Sequence, residues 1–250
     1  MKNTERVLQW LSKAEKPSLT KEQIRSYFQT ITPRSQFFKT LPKNATVLDL
    51  GAGSGALSVL RNWPPPQRHD VDIYAFSLTV GEQFREYVAY EIGDFEQRKP
   101  EFDGRIFSAI VCAHFLEHMR DPEACLHWIA SRLKAEGRLY IEWPHPISAD
   151  MPTLGEVREA TGIDVMTINF YDDKTHQALI EPYATRYTLE ECGFDVESGG
   201  RIRFPFIADE MRNIALSDRD PYFLTMAIWH FVGWAQYYIA QLCREPLSSP

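Results

Sequence analysis

The chain has 250 residues, 44% of them hydrophobic, enough for one sizeable core, and a formal net charge of −7. That charge excludes the broad basic footprint of non-specific nucleic-acid binding, so no nucleic-acid partner is expected. The four scattered cysteines lack a C-x-x-C pair, and the charged N-terminal stretch lacks the apolar core of a signal peptide; both point to a reducing, cytoplasmic setting.

Residues 5–30 carry helical periodicity. Val7, Leu8 and Leu11, then Ile24, Tyr27, Phe28 and Ile31, recur at three- and four-residue spacing, and Thr20 is placed to cap the second helix. This predicts a helical cap over residues 1–40. Tyr27, Phe28 and Arg34 either pack within that cap or close over a ligand.

Thr46–Leu50 reads as a short buried strand running into Gly51-Ala52-Gly53-Ser54-Gly55, with a helix opening at Ala56. Such a turn lets backbone approach a nucleotide-like ligand, and the helix start offers free N–H groups. Asp49, just before the turn, can hold the loop or a cationic ligand group. The third glycine comes one residue early for the dinucleotide fingerprint, which speaks against a nicotinamide oxidoreductase.

Val71–Phe76 is the second strand, after the break at Trp63-Pro64-Pro65-Pro66. Ser77 then stands where a doubly wound fold commonly places an acidic residue for ribose hydroxyls. The stretch from Ser77 to Glu86 is short for a helix. Tyr87–Ile92 is the third strand, followed by Gly93, Asp94 and Phe95. Phe107–Ala113 is the fourth, fully buried by its continuous apolar run. Pro122 suits the first turn of a helix over Glu123–Leu133. Gly137 turns the chain into a fifth strand, Arg138–Trp143.

Residues 147–180 form an insertion, expected as a lid. A helix over Tyr187–Cys192 is closed by Gly193, and a sixth strand starts at Phe194. Tyr222–Cys243 carries no formal charge. It reads as a core helix stopped by Gly233 and a strand over Tyr237–Leu242, ending at Arg244-Glu245-Pro246, and no integral membrane segment is expected. The aromatic helix is a candidate homodimer face.

Asp49-Leu50-Gly51-Ala52-Gly53-Ser54-Gly55 resembles motif I of the class I S-adenosylmethionine (SAM) dependent methyltransferases. Gly93-Asp94-Phe95 resembles that family's adenine site. His114-Phe115-Leu116-Glu117-His118-Met119-Arg120-Asp121-Pro122 resembles its H-x-x-E-H-x-x-D-P stretch. Asp172-Asp173-Lys174-Thr175-His176 resembles a D-D-P-T-H segment, with Lys174 in place of proline.

The resemblance implies an α/β, doubly wound, Rossmann-like fold. Its seven-stranded sheet would be mostly parallel with the last strand antiparallel, in a SAM-binding domain over 41–250 with a lid at about 147–180. SAM, leaving as S-adenosylhomocysteine, would lie at the strand ends against Asp49, Gly51, Ala52, Gly53, Gly55, Ser77, Asp94, Phe95, Ala113 and His114. The expected reaction is methyl transfer to a small-molecule or saccharide acceptor, on oxygen, with a histidine as general base because its pKa lies near neutrality. His118 is the first choice, followed by His176 and His145. Glu117 and Glu142 stand near histidines, but no spacing is diagnostic and no metal is predicted. The alternative is a non-catalytic methyltransferase-like binding or scaffold protein, with Ser77 marking lost cofactor recognition.

Overall fold

The computed structural model describes residues 3–243. Three helices come first: α1 (Asn3–Leu11), α2 (Lys21–Ile31) and α3 (Pro33–Lys39). Thr20 does cap α2. Its hydroxyl accepts from the Gln23 amide, and the Gln23 side chain accepts from the Thr20 N–H at 2.8 Å.

The sheet then begins with β1 (Thr46–Leu50), a 3₁₀ turn at Ala56–Ser58 and the one-turn α4 (Val59–Asn62). The helix expected at Ala56 is therefore short; Trp63 leads into three prolines that cannot continue it. β2 (Asp72–Ser77) and β3 (Ala89–Ile92) are joined by a loop with only a 3₁₀ turn at Phe84–Glu86. β4 (Phe107–Ala113) leads to α5 (Pro122–Ser131), capped by Asp121, whose carboxylate accepts from Ala124 N at 2.9 Å. β5 (Leu133–Pro144) starts earlier than its pattern suggested.

The insertion contains α6 (Leu154–Thr161). It is followed by α7 (Pro182–Glu191), β6 (Phe194–Arg201), α8 (Pro205–Asp218), α9 (Pro221–Val232) and β7 (Ala235–Leu242). The sequence pattern did not signal α8. The expected end of the last strand, Arg244-Glu245-Pro246, lies outside the described residues.

The seven strands run in the order β3-β2-β1-β4-β5-β7-β6. All pairs are parallel except β5–β7 and β6–β7, because β7 runs antiparallel to both neighbours. This is the sheet expected from the resemblance. Adjacent β1 residues alternate between its faces. Leu48 and Leu50 pack with Leu126 and Ile129 of α5, whereas Val47 packs with Phe37 and Phe38 of α3.

A third apolar cluster lies apart from these two. It joins Val7 and Ile24 of the N-terminal helices, Val157 of α6, Met211 of α8 and Leu224 and Ile228 of α9. The helix α9 is covered by its own chain on most sides; even His230, on the face opposite Leu224 and Ile228, is only 4% exposed. Among the described residues, no helix is long and apolar enough to cross a membrane.

Candidate active site

The turn after β1 uses glycine for a backbone reason. Gly51, Gly53 and Gly55 have φ of 79°, 53° and 85°, in the left-handed region that L side chains avoid. The loop is pinned from the neighbouring strand: the Gly51 and Ala52 N–H groups both donate to the Phe76 carbonyl, at 2.9 and 3.1 Å. A Cβ on Gly51 would lie 2.5 Å from the Phe115 ring. Asp49 sits beneath the loop and accepts from the Tyr87 hydroxyl at 2.5 Å. Burial pushes its carboxyl up to about 6, against the Tyr87 hydrogen bond and the Arg34 charge. Its partner is thus the loop's own support.

A cavity of about 390 Å³ opens at the C-terminal ends of β1, β2 and β4, a size suited to a small-molecule ligand. Of the expected cofactor residues, Gly51, Gly53, Ser77, Asp94, Phe95 and His114 line it. Asp49, Ala52, Gly55 and Ala113 do not. Ala52 and Ala113 pack against the cluster on the α3 face. Asp94 also closes its own turn, accepting from Glu96 N and Gln97 Nε2, both at 2.9 Å. Phe95 is nearly buried among aromatic neighbours, with Trp128 and Phe115 edge-on at 5.0 and 5.3 Å.

The loop after β4 and the insertion bring two histidines together. The rings of His118 and His176, 58 positions apart in sequence, have centroids 5.0 Å apart. Thr175 Oγ1 spends its proton on Asp173 Oδ1 at 2.6 Å, because a carboxylate only accepts. His118 Nδ1, 3.0 Å from Thr175 Oγ1, must then donate to that hydroxyl oxygen. His118 therefore carries its proton on Nδ1 and its lone pair on Nε2. His118 and Thr175 both line the cavity.

His145 is elsewhere. Its Nδ1 accepts from the Ile147 amide at 3.0 Å and caps the turn after β5, and burial together with Arg201 lowers its pKa to about 4. It lines none of the described cavities that involve the glycine loop.

Sequence reasoning missed a charged network beside this cavity. Arg34 of α3 reaches Glu142 of β5, with its Nη2 3.1 Å from both carboxylate oxygens. Tyr140, two residues earlier on the same face of β5, donates to Glu142 Oε2 at 2.5 Å. His114 Nε2 lies 2.9 Å from Glu142 Oε1, and its Nδ1 3.4 Å from Glu117 Oε1. Burial alone would raise the Glu142 carboxyl; the charges of Arg34 and His114 outweigh it and hold the group well below the carboxylate range. His114, disfavoured as a cation by burial, is raised to about 9 by its bonds to Glu117 and Glu142.

A second cavity of about 330 Å³ lies on the other side of this network. Its lining includes Arg34, Glu142 and a set of rings: Phe28, Tyr222, Trp229 and His230. His114 lines both cavities. The one signal in the sequence was the Tyr140–Glu142 alternation, a carboxylate within the otherwise apolar end of β5 after Arg138.

The sheet order, the glycine turn and the cavity at the strand ends define a class I SAM-dependent methyltransferase domain. A family model described as a methyltransferase domain matches residues 21–198, and the chain belongs to that family. The cofactor of the class is SAM. The site fits it: the glycine loop leaves backbone exposed to the cavity where side chains would intrude, and Ser77, Asp94 and His114 supply polar groups along it. No carboxylate stands at the Ser77 position; Asp94 and Glu96 are the carboxylates of this lining.

A curated relative, ubiquinone biosynthesis O-methyltransferase of Xanthomonas axonopodis pv. citri, is 33% identical over 108 residues, 40% of this chain and 43% of the relative. The chain thus spans less than half the length of that relative. Two solved structures share the fold at low identity. A SAM-dependent methyltransferase from Mesorhizobium loti aligns at 14% identity and a TM-score of 0.53, covering 84% of this chain and 96% of the other. Coclaurine N-methyltransferase, bound to N-methylheliamine and S-adenosylhomocysteine, aligns at 13% and 0.55, covering 96% and 82%.

Proposed function

We propose that this chain methylates a hydroxyl oxygen of a small-molecule or saccharide acceptor, with His118 as the general base. Bound SAM supplies a methyl group on a positively charged sulfur, so the leaving group is already activated. What remains for the protein is alignment and removal of the hydroxyl proton. The carrying observation is the Asp173–Thr175–His118 chain of hydrogen bonds, which leaves Nε2 of a cavity-lining imidazole free to take that proton. His114 is unsuited to the task, because each of its ring nitrogens already faces a carboxylate. Asp173 and Thr175 are positioning residues in this reading. The acceptor hydroxyl is proposed to enter the cavity that His118 and Thr175 line, with His176, whose ring lies beside that of His118, as the second candidate base.

The test is methyl transfer from labelled SAM to a panel of hydroxylated sugars and natural products. His118→Ala should lower kcat by about 10²- to 10⁴-fold with S-adenosylhomocysteine affinity kept. An unchanged kcat would exclude His118 as the base. The absence of a carboxylate at Ser77 favours one rival, a non-catalytic methyltransferase-like binding protein. Calorimetric titration with S-adenosylhomocysteine separates the two: micromolar binding supports the enzyme, and no binding at millimolar ligand supports the rival.

A further inference from the structure

We propose that Glu117, His118 and His176 form a binding site for one divalent transition-metal ion, zinc(II) or a similar borderline ion. One ligand atom from each of the three lies within 4.8 Å of those of the others. The bond lengths of such ions, about 2.0–2.2 Å, require ligand atoms roughly 3–3.4 Å apart. Small side-chain rotations would close the set.

Three features distinguish this group from an accidental cluster. The first is the orientation of the imidazoles. His176 Nδ1 lies 2.6 Å from the Phe170 carbonyl, which only accepts, so Nδ1 carries the proton and Nε2 the lone pair. His118 is held in the same tautomer by Thr175 and Asp173. Metal-ligating histidines are ordinarily fixed in this way, one nitrogen donating to a carbonyl or carboxylate-backed group while the other binds the ion.

The second is Glu117. Its side chain is only 1% exposed, yet Oε2 is buried without a hydrogen-bond partner. A carboxylate oxygen taken out of water without a partner is costly, and a cation beside it removes that cost. The third is charge and chemistry. Asp173 Oδ2 lies 3.9 Å from His176 Nε2, so two carboxylates stand near the position of a dication. Two imidazole nitrogens and one carboxylate oxygen suit zinc, cobalt or manganese better than an all-oxygen site would.

His118 also lines the cofactor cavity, so the ion would sit at its edge with coordination positions left for solvent or an acceptor hydroxyl. Metal and proton compete for the same His118 Nε2 lone pair. Inhibition of methyl transfer by added ion follows, and that consequence alone rests on the proposed base.

The test uses the full chain, stripped with a chelator and titrated with cobalt(II), followed by visible absorption and calorimetry. One ion per chain at micromolar affinity is expected. Glu117→Gln, which keeps the side-chain shape, and His176→Ala should each weaken binding at least tenfold. A thermal melt and S-adenosylhomocysteine titration of each variant confirm that the fold and cofactor site persist. No cobalt binding at 1 mM, or binding that neither substitution weakens, overturns the site, whatever the outcome for methyl transfer.

Discussion

Gly81 supports the cofactor loop from outside it, and Gly81→Ala should loosen that loop. Gly81 lies in the connection between β2 and β3. A Cβ there would overlap the Gly53 carbonyl oxygen and come within 2.7 Å of the Ser54 carbonyl carbon and 2.6 Å of the Phe84 ring. Carbon atoms in contact prefer about 3.5–4.0 Å, so one backbone segment must move by roughly 1 Å. The two segments are also tied by the hydrogen bond from Gln83 N to Ser54 O at 2.9 Å, so the strain enters the glycine turn. Overpacking of this kind costs about 1–3 kcal/mol. Expressed as lost cofactor binding, that is about a 5- to 150-fold rise in Kd. Expressed as stability, it is a fall in Tm of about 2–4 °C for each kcal/mol in a chain of this size. Calorimetry with S-adenosylhomocysteine and a thermal melt read both. Gly104→Ala is the control, because its φ of 75° carries the left-handed strain while its Cβ meets nothing within 4 Å. If Gly81→Ala binds within twofold of the parent chain and melts at the same temperature, the coupling of these two segments is wrong.

Other consequences follow from the buried charges. Glu142→Gln removes the shared counter-charge of Arg34 and His114. Breaking a buried pair costs about 3–5 kcal/mol, and the partial exposure of Arg34 reduces this to about 2–4 kcal/mol. Urea unfolding measures it, and a loss under 0.5 kcal/mol would refute the network's structural weight. His230 is pushed down to about 4, mainly by burial between Phe28 and Phe204; the Glu142 charge and the Ile202 backbone oppose this. The unfolded chain therefore binds the extra proton first, so stability falls as pH drops from about 6.5 towards 4, by about 3 kcal/mol at most. Unfolding of the parent and His230→Leu from pH 7 to 4 checks this: the parent should lose more, and parallel curves would exclude His230 as the cause.

Local signals were sufficient wherever one segment's own pattern decided its structure. The apolar run Phe107–Ala113 became a central strand because it is covered on both faces. Three left-handed positions after β1 admit glycine at low cost, so the turn was legible from Gly51, Gly53 and Gly55. Thr20 and Gly233 marked a helix start and a helix end through hydrogen bonds made within a few residues. These features marked the individual elements and the cofactor loop; the fold class was what the resemblance of the motifs implied.

Only the tertiary structure decided what lay beyond that range. The helix α8 buries Glu210, Arg212 and Asn213, which read as surface residues in isolation. Glu210 accepts from the Ser18 and Leu19 amides, 192 and 191 positions away, and Arg212 donates to the Trp10 carbonyl, 202 positions away. Arg34 meets Glu142, and His118 meets His176, through contacts of the same kind. A buried polar group is stable only with its partner, and chain pattern says nothing about a partner a hundred residues distant. The sequence alone therefore determined the sheet, the glycine turn and the residue types available for chemistry. The folded chain decided which imidazole nitrogen is free, which carboxylate is neutralised and which is left without a partner.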